Sequence, residues 1–280
     1  MKPIQRIIIL FIVLASMSMF AQDFQGVATY KTKRQVSIKM DSTKMQSAMQ
    51  EQISEMLKKS FEKTYLLTFN KEASIYKEEE ALKAPTAAGL GLVVSSSGGG
   101  DVIYKNTKTK TYTNQNDFLG KVFLIQDQLK PLPWELGSET KNIGSYTCFK
   151  ATITEAVEVT NHTWSTGKIE AKNKTEETET KTKTTTAWYT PQISVSNGPA
   201  LFYGLPGLIL EINDGQQTII CSKIVLNPED KIDIAEPTKG KKVNAQEFED
   251  ITLKKIQEMN ERNATSSGKD GETISINIGG

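Results

Sequence analysis

The sequence predicts a mainly β protein of the α+β type, a long curved antiparallel sheet with about two helices packed on one face. Three observations predict it. Apolar and polar residues alternate over one short segment after another, the pattern of half-buried strands. Turn residues separate these segments without the strand–helix–strand rhythm that a parallel sheet requires. Only two segments, far apart in the chain, repeat apolar residues at helical spacing.

The elements follow in order. Met1 to Arg6 is a short basic start, Ile7 to Leu14 an apolar run, and Ala15 to Ala21 a stretch of small and apolar residues. This is the layout of a secretory signal peptide over residues 1–21, with cleavage after Ala21 or, less well, after Ser18. An uncleaved membrane anchor is the competing reading; the apolar core is short of the roughly 20 residues a spanning helix needs. No Cys follows the run, which argues against a lipid anchor, and no later segment is apolar enough to span a bilayer. Phe24 to Ile38 reads as a strand. Met45, Met49, Ile53, Leu57 and Phe61, with Met56, make one stripe of a helix from about Thr43 to Phe61, capped by Asp41 or Ser42. The stripe packs on the sheet or, being rich in methionine, serves as an adaptable surface. Tyr65, Leu67, Phe69, Ala73 and Ile75 alternate as a strand or hairpin over Thr64 to Lys77.

Residues 79–101 are a Gly/Ser-rich excursion read as a loop. Val102 to Tyr104 and Thr111 to Thr113 flank the polar stretch 106–110 as a hairpin; Lys121 to Gln126 and Ser145 to Glu155 continue the series, joined by an irregular link at Pro131, Pro133 and Trp134. The Thr/Lys/Glu tract 160–186 reads as two exposed strands or a loop, the high β propensity of Thr favouring strands. Leu205-Pro206-Gly207-Leu208 fits a type II turn. Leu208 to Ile212 and Gln216 to Leu226 then form a hairpin about Asn213-Asp214-Gly215. A last helix starts at Asn244, with Glu247 completing a capping box, and runs to about Arg262. Residues 22–262 thus read as a single β-rich domain. Residues 263–280 form a polar tail in which Ile274 to Ile278 can add an edge strand.

Composition excludes several functions. With 34 Lys+Arg against 33 Asp+Glu, the net charge is +1, too little to steer the chain onto nucleic acid or anionic membrane. Loss of residues 1–21 removes Lys2, Arg6 and no acid, which takes the charge from +1 to −1. One His, His162 in the polar tract, and two Cys supply neither a multi-His zinc centre nor a Cys-rich cluster, so no metal or cofactor is expected. In an exported chain Cys148 and Cys221 read as one disulfide closing a loop of roughly 70 residues, worth about 4 kcal/mol; two buried free thiols are the alternative. No base lies near Cys148 in sequence to make it a nucleophile.

Gly204-Leu-Pro-Gly-Leu-Ile209 carries a resemblance. So do Lys141 to Ala151, Ala187-Trp188-Tyr189-Thr190-Pro191 with Gly198-Pro199, Tyr65 to Asn70, and Ser74 to Tyr76. The chain resembles the GLPGLI family, exported proteins of Bacteroidota bacteria, over most of residues 24–262. The resemblance implies export and proximity to TonB-dependent outer-membrane receptors. It implies no catalytic residues, and it does not extend to segments 79–101 and 160–186. The fold outline is similar to that of periplasmic lipoprotein carriers, by analogy alone.

The expected function is therefore non-enzymatic: an envelope protein, periplasmic, outer-membrane associated or at the cell surface, that binds an apolar or peptide ligand or accompanies such a receptor. The motif Gly204, Leu205, Pro206, Gly207, Leu208 and Ile209 reads as a turn feeding a core strand, or as a binding mouth with Trp188, Tyr189, Phe202 and Tyr203. A hydrolase with a carboxylate pair assembled by the fold, such as Glu211 with Asp214, is the alternative. No Gly-x-Ser-x-Gly, His-Glu-x-x-His or P-loop pattern occurs. A structural adhesin is a third reading, against which stands the absence of repeats. Asp41-Ser42-Thr43 resembles a short bacterial O-glycosylation signal or is an ordinary helix cap. Asn161, Asn173 and Asn263 begin Asn-x-Thr triplets read as coincidence.

Overall fold

The computed structural model describes residues 24–34, 37–40, 62–79, 101–159, 179–230, 232–266 and 274–277. The signal-peptide segment, the helix expected over 43–61, most of the 79–101 excursion, residues 160–178 with His162, and Asp41-Ser42-Thr43 lie outside these residues.

The N-terminal alternation gives β1 (Gln25–Arg34), in which Gly26, Ala28, Tyr30 and Thr32 are buried. On one side of β1 stands an antiparallel meander of β3 (Lys63–Asn70), β4 (Ala73–Glu78), β5 (Val102–Asn106), β6 (Thr111–Phe118) and β7 (Lys121–Gln128). On the other side stands a second meander of β8 (Glu135–Ile143), β9 (Tyr146–Val159), β10 (Glu179–Thr190), β11 (Leu208–Asn213) and β12 (Gln217–Leu226). Strand β1 zips the two together, pairing with β3 and β12. A short strand β13 (Lys241–Val243) on the far side of β7 completes a 12-stranded sheet. Strand β2 (Ser37–Met40) pairs instead with β14 (Ile274–Asn277) in a separate ribbon, so the predicted strand Phe24–Ile38 is two strands.

The expectation of a purely antiparallel sheet with about two helices on one face is corrected. The sheet is mixed, because β13 runs parallel to β7. Chain leaving β12 in the middle of the sheet crosses the outer face of β6 and β7 before reaching that edge. There the Thr113 hydroxyl and the Gln126 amide both donate to Glu236 Oε1. Among the described residues the only helix is α1 (Ala245–Ser266). It covers the inner face at β7 through Phe248 and Ile251, packed on Phe123, Ile125 and Val243.

The capping box forms as read. The Asn244 backbone N–H donates to Glu247 Oε2 (2.9 Å), and the Glu247 N–H donates to Asn244 Oδ1 (2.8 Å). Asp127 accepts a third orphan donor, the Ala245 N–H (3.2 Å). Bonds from the Gln128 and Ala245 N–H groups hold the Asp127 carboxyl below its usual range. Asn244→Ala is expected to cost about 1 kcal/mol and to fray α1, measured by urea unfolding and helical circular dichroism.

The larger core lies on the same inner face, where Tyr30, Leu67, Phe69, Leu208, Leu210 and Ile212 meet Ile193, Val195 and Leu205 from the 191–207 loop. Each such aliphatic side chain contributes about 1.5–3 kcal/mol on burial.

Two further expectations are corrected. The thiols of Cys148 and Cys221 are free. Strands β10 and β11 stand between β9 and β12 in the sheet, and each thiol points to a carbonyl of its own strand, Tyr146 O at 3.7 Å and Lys223 O at 3.5 Å. Burial pushes both thiols up to about 11, which keeps them protonated near neutral pH. The type II turn is replaced by a tighter one. Gly207 N–H donates to Leu205 O (2.8 Å), closing a three-residue turn around Pro206.

Candidate functional site

The 191–207 loop folds back on the sheet through its own backbone. Leu208 N–H donates to Ile193 O and Ile209 N–H to Asn197 O. A Cβ on Gly198 would lie 2.8 Å from Ile209 Cβ, so glycine lets the loop close on β11. Tyr30 reaches across the core to donate its hydroxyl to Ile209 O (2.6 Å), beside the bulge that leaves Leu210 unpaired with β10.

This arrangement uses the motif for packing. Leu205, Leu208 and Ile209 are fully buried, and Gly207 is buried against the end of β10, leaving Gly204 and Pro206 exposed. The four aromatic residues do not share one mouth. Tyr203 is buried, its hydroxyl donating to Leu129 O and Lys130 O, and its own carbonyl takes Trp134 Nε1–H (2.8 Å). Tyr189 is buried against Phe149, whereas Trp188, its neighbour on β10, faces the opposite side beneath the Lys141 ammonium, 4.5 Å from the ring centre. Phe202 remains half-exposed beside Trp134.

The pair Glu211 and Asp214 is not assembled either. Both Glu211 oxygens accept from Lys141 (2.8 Å each). Asp214 takes the Gln216 and Gln217 N–H groups in the hairpin turn and pairs with Lys183 at 3.0 Å. These bonds hold the Asp214 carboxyl below its usual range in spite of its partial burial.

The site that the register does assemble joins residues far apart in sequence. On the inner face Tyr65 stands opposite Glu78, and Leu67, Tyr76, Ile103 and Asn114 form the next row. Ser74, Lys105 and Tyr112 form the third. Asp101, just before β5, joins the first row by accepting from Asn116 Nδ2 (2.9 Å). Lys63 pairs with Glu78 at 2.9 Å, and the rings of Tyr65 and Tyr76 stack at 4.7 Å.

Electrostatics single out two groups here. Burial, with Glu78 and Asp117 nearby, pushes the Asp101 carboxyl up to about 6, although the Asn116 bond and Lys63 oppose the rise. Lys105 is fully buried, its ammonium donating to Gly198 O (2.6 Å) and Phe202 O (3.1 Å), and burial pulls it down to about 7. The same desolvation pushes the Tyr65 hydroxyl up to about 12. Strongly shifted groups gathered on one face mark a candidate functional site. Neither Asp101 nor Lys105 stands out in the sequence; only the alternation of β5 and β6 hints at their shared face. Among the described residues no group of three or more His, Cys, Asp or Glu side chains is placed to hold a metal ion.

Asp101 gives a testable sign. A carboxyl raised from 3.8 to about 6 favours its neutral form in the fold, so the contribution of Asp101 to stability is greatest below pH 3.8 and falls as pH rises to about 6. Asp101→Asn is therefore expected to be more stable than the parent by about 1–2 kcal/mol at pH 7.5, after allowance for solvent screening at this half-buried position. Urea unfolding at pH 7.5 and pH 3.5 measures it; the gain disappears at the lower pH.

Comparison with known families reaches the motif and not the strip of Asp101 and Lys105. The model of a family described as "Protein of unknown function (Porph_ging)" matches residues 134–211, from Trp134 through β8, β9, β10 and the motif to Glu211 in β11. No curated protein matches the chain. Structures of PNGF-II in the C2 and P21 space groups share 13% and 14% identity with it, each with a TM-score of 0.46 over 82% of this chain. The chain spans about a third of the length of those structures, 33% in each case. An uncharacterized conserved protein from Thermus thermophilus is similar at 6% identity and a TM-score of 0.32, over 79% of this chain and 91% of that one. Residues 134–211 thus resemble a family of unknown function.

Proposed function

We propose that the protein is an exported, non-enzymatic binding protein of the bacterial envelope, of the GLPGLI type, which holds a ligand or partner beside an outer-membrane TonB-dependent receptor. The observation that carries this reading is the strip of half-buried Tyr65, Glu78, Asp101 and Asn114 with buried Asn116, between the two apolar clusters of the inner face. Binding sites combine such apolar walls with a few fixed polar groups. The signal-peptide layout of residues 1–21 supports export, and no described helix is long and apolar enough to cross a membrane. Native mass spectrometry of the protein drawn from the cell envelope tests the reading. A co-purifying ligand or receptor is expected; a clean monomer overturns it.

A carboxylate-based hydrolase is the second reading, and Asp101 beside Glu78 is the observation that favours it. An acid with a pKa of about 6 suits proton transfer near neutrality. A hydrolytic activity abolished by Asp101→Asn would replace the first reading with this one.

A further inference from the structure

The strip on the inner face contains a hydrogen-bonding deficit. Asn114 Oδ1 is buried and accepts from no group among the described residues. An orphaned buried carbonyl costs about 1–3 kcal/mol, and native proteins pair nearly all such groups. An acceptor in this condition is open to a donor from beyond the described residues, such as a bound ligand.

The neighbours agree on the character of that donor. Asn114 and Ile103 are cross-strand partners, and Asp101 lies two residues before Ile103 on the same face. Asp101 Oδ1 takes the Asn116 amide and Glu78 Oε2 pairs with Lys63; among the described residues the second oxygen of each carboxyl has no hydrogen-bond partner. One lysine against two carboxylates gives the strip a formal charge of −1 when both acids are ionised. Tyr65 adds a half-buried aromatic face. Open acceptors, net negative charge and an aromatic ring together select a cation that carries N–H donors.

We propose that the strip binds a primary ammonium group, with N–H donors directed to Asn114 Oδ1 and the Asp101 carboxylate. The inference rests on the reading of the protein as a binding protein and names the ligand class of that site. A hydroxyl would satisfy Asn114 but leave the charge unanswered. A quaternary ammonium would answer the charge and leave Asn114 orphaned. The ammonium belongs either to a free amine or to a lysine side chain on a peptide.

Calorimetric titration of the purified chain with n-butylammonium at pH 8 tests it, with n-butanol and tetramethylammonium as controls and, as the second arm, a short peptide acetylated only at its N-terminus with one free lysine side chain. Saturable binding of butylammonium is expected, with both controls at least tenfold weaker. Tighter binding of the peptide assigns the amine to a chain, and equal or weaker binding to a free amine. Asp101→Asn removes the charge and keeps an acceptor for Asn116, and is expected to weaken binding at least tenfold; Asn114→Ala is expected to weaken it severalfold. Glu78→Gln serves as the charge variant if Asp101→Asn does not fold. Absence of saturable ammonium binding, or binding unchanged in the folded variants, overturns the proposal. Recovery of a receptor or another ligand from the envelope in that case leaves the broader binding reading standing.

Discussion

Gly207→Ala is expected to unfold the protein, whereas Pro206→Ala one residue earlier is expected to cost less than about 1 kcal/mol. Gly207 is buried where the motif passes the end of β10. A Cβ there would lie 2.5 Å from the Thr190 carbonyl carbon and 2.9 Å from the Pro191 nitrogen. Those atoms are backbone and cannot rotate aside as a side chain would. Thr190 is fully buried and pairs with Leu208, the first residue of β11. Relief of the overlap would pull β10 from β11 in the middle of the larger core. Overpacking of this kind costs about 1–3 kcal/mol when side chains can yield, and more when backbone must move. The total approaches the roughly 5–15 kcal/mol that holds a typical domain together. Pro206 is exposed, and its replacement loosens the three-residue turn without adding an atom to the core. Urea unfolding and one-dimensional NMR spectra of both variants measure the contrast. A folded Gly207→Ala protein of near-parental stability would end the packing account of the motif.

That contrast also shows what was legible in the sequence. Alternation exposed the hairpins, because Tyr65, Leu67 and Phe69 each place an apolar group on the buried face. The capping box of Asn244 and Glu247 was legible because both partners lie within one helical turn. Strand β8 was not, since it is an edge strand whose residues are nearly all exposed, leaving no apolar period to read. The parallel strand β13 was hidden for a different reason: its three residues carry no pattern, and its direction depends on the path of the chain across the outer face. The strip of Asp101, Asn114 and Glu78 exists only through register, which no local window contains. Glu211 and Asp214, named as a pair that the fold could assemble, go each to a different lysine. Lys105 was overlooked because a lysine in a polar context reads as solvent-exposed.

Lys105 carries the second large prediction: stability rises by about 2 kcal/mol between pH 7 and pH 8.5, and the rise is lost in Lys105→Met. The side chain is fully buried, with two carbonyl oxygens and, among the described residues, no carboxylate as partners for its ammonium. Burial lowers its pKa from 10.5 to about 7. Below pH 7 the group is protonated in both folded and unfolded chains, and the fold bears the full desolvation cost. Above pH 7 the folded chain releases the proton while the unfolded chain keeps it to about 10.5, so stability increases with pH across that interval. At about 1.4 kcal/mol per pH unit the whole interval amounts to about 5 kcal/mol. The first part of it is the cleanest to measure. The Asp101 carboxyl has already titrated, near pH 6. The thiols and phenols with raised values, Cys148, Cys221, Tyr30, Tyr65, Tyr76, Tyr112 and Tyr203, oppose the trend only where they ionise in the unfolded chain, at reference values of 9.0 and 10.0. Lys105→Met leaves Gly198 O and Phe202 O without their donor, so its absolute stability reports two effects at once. The slope reports one. Urea midpoints at several pH values between 7 and 8.5 give that slope, and a flat parental profile would show that the Lys105 ammonium titrates where a solvated lysine does.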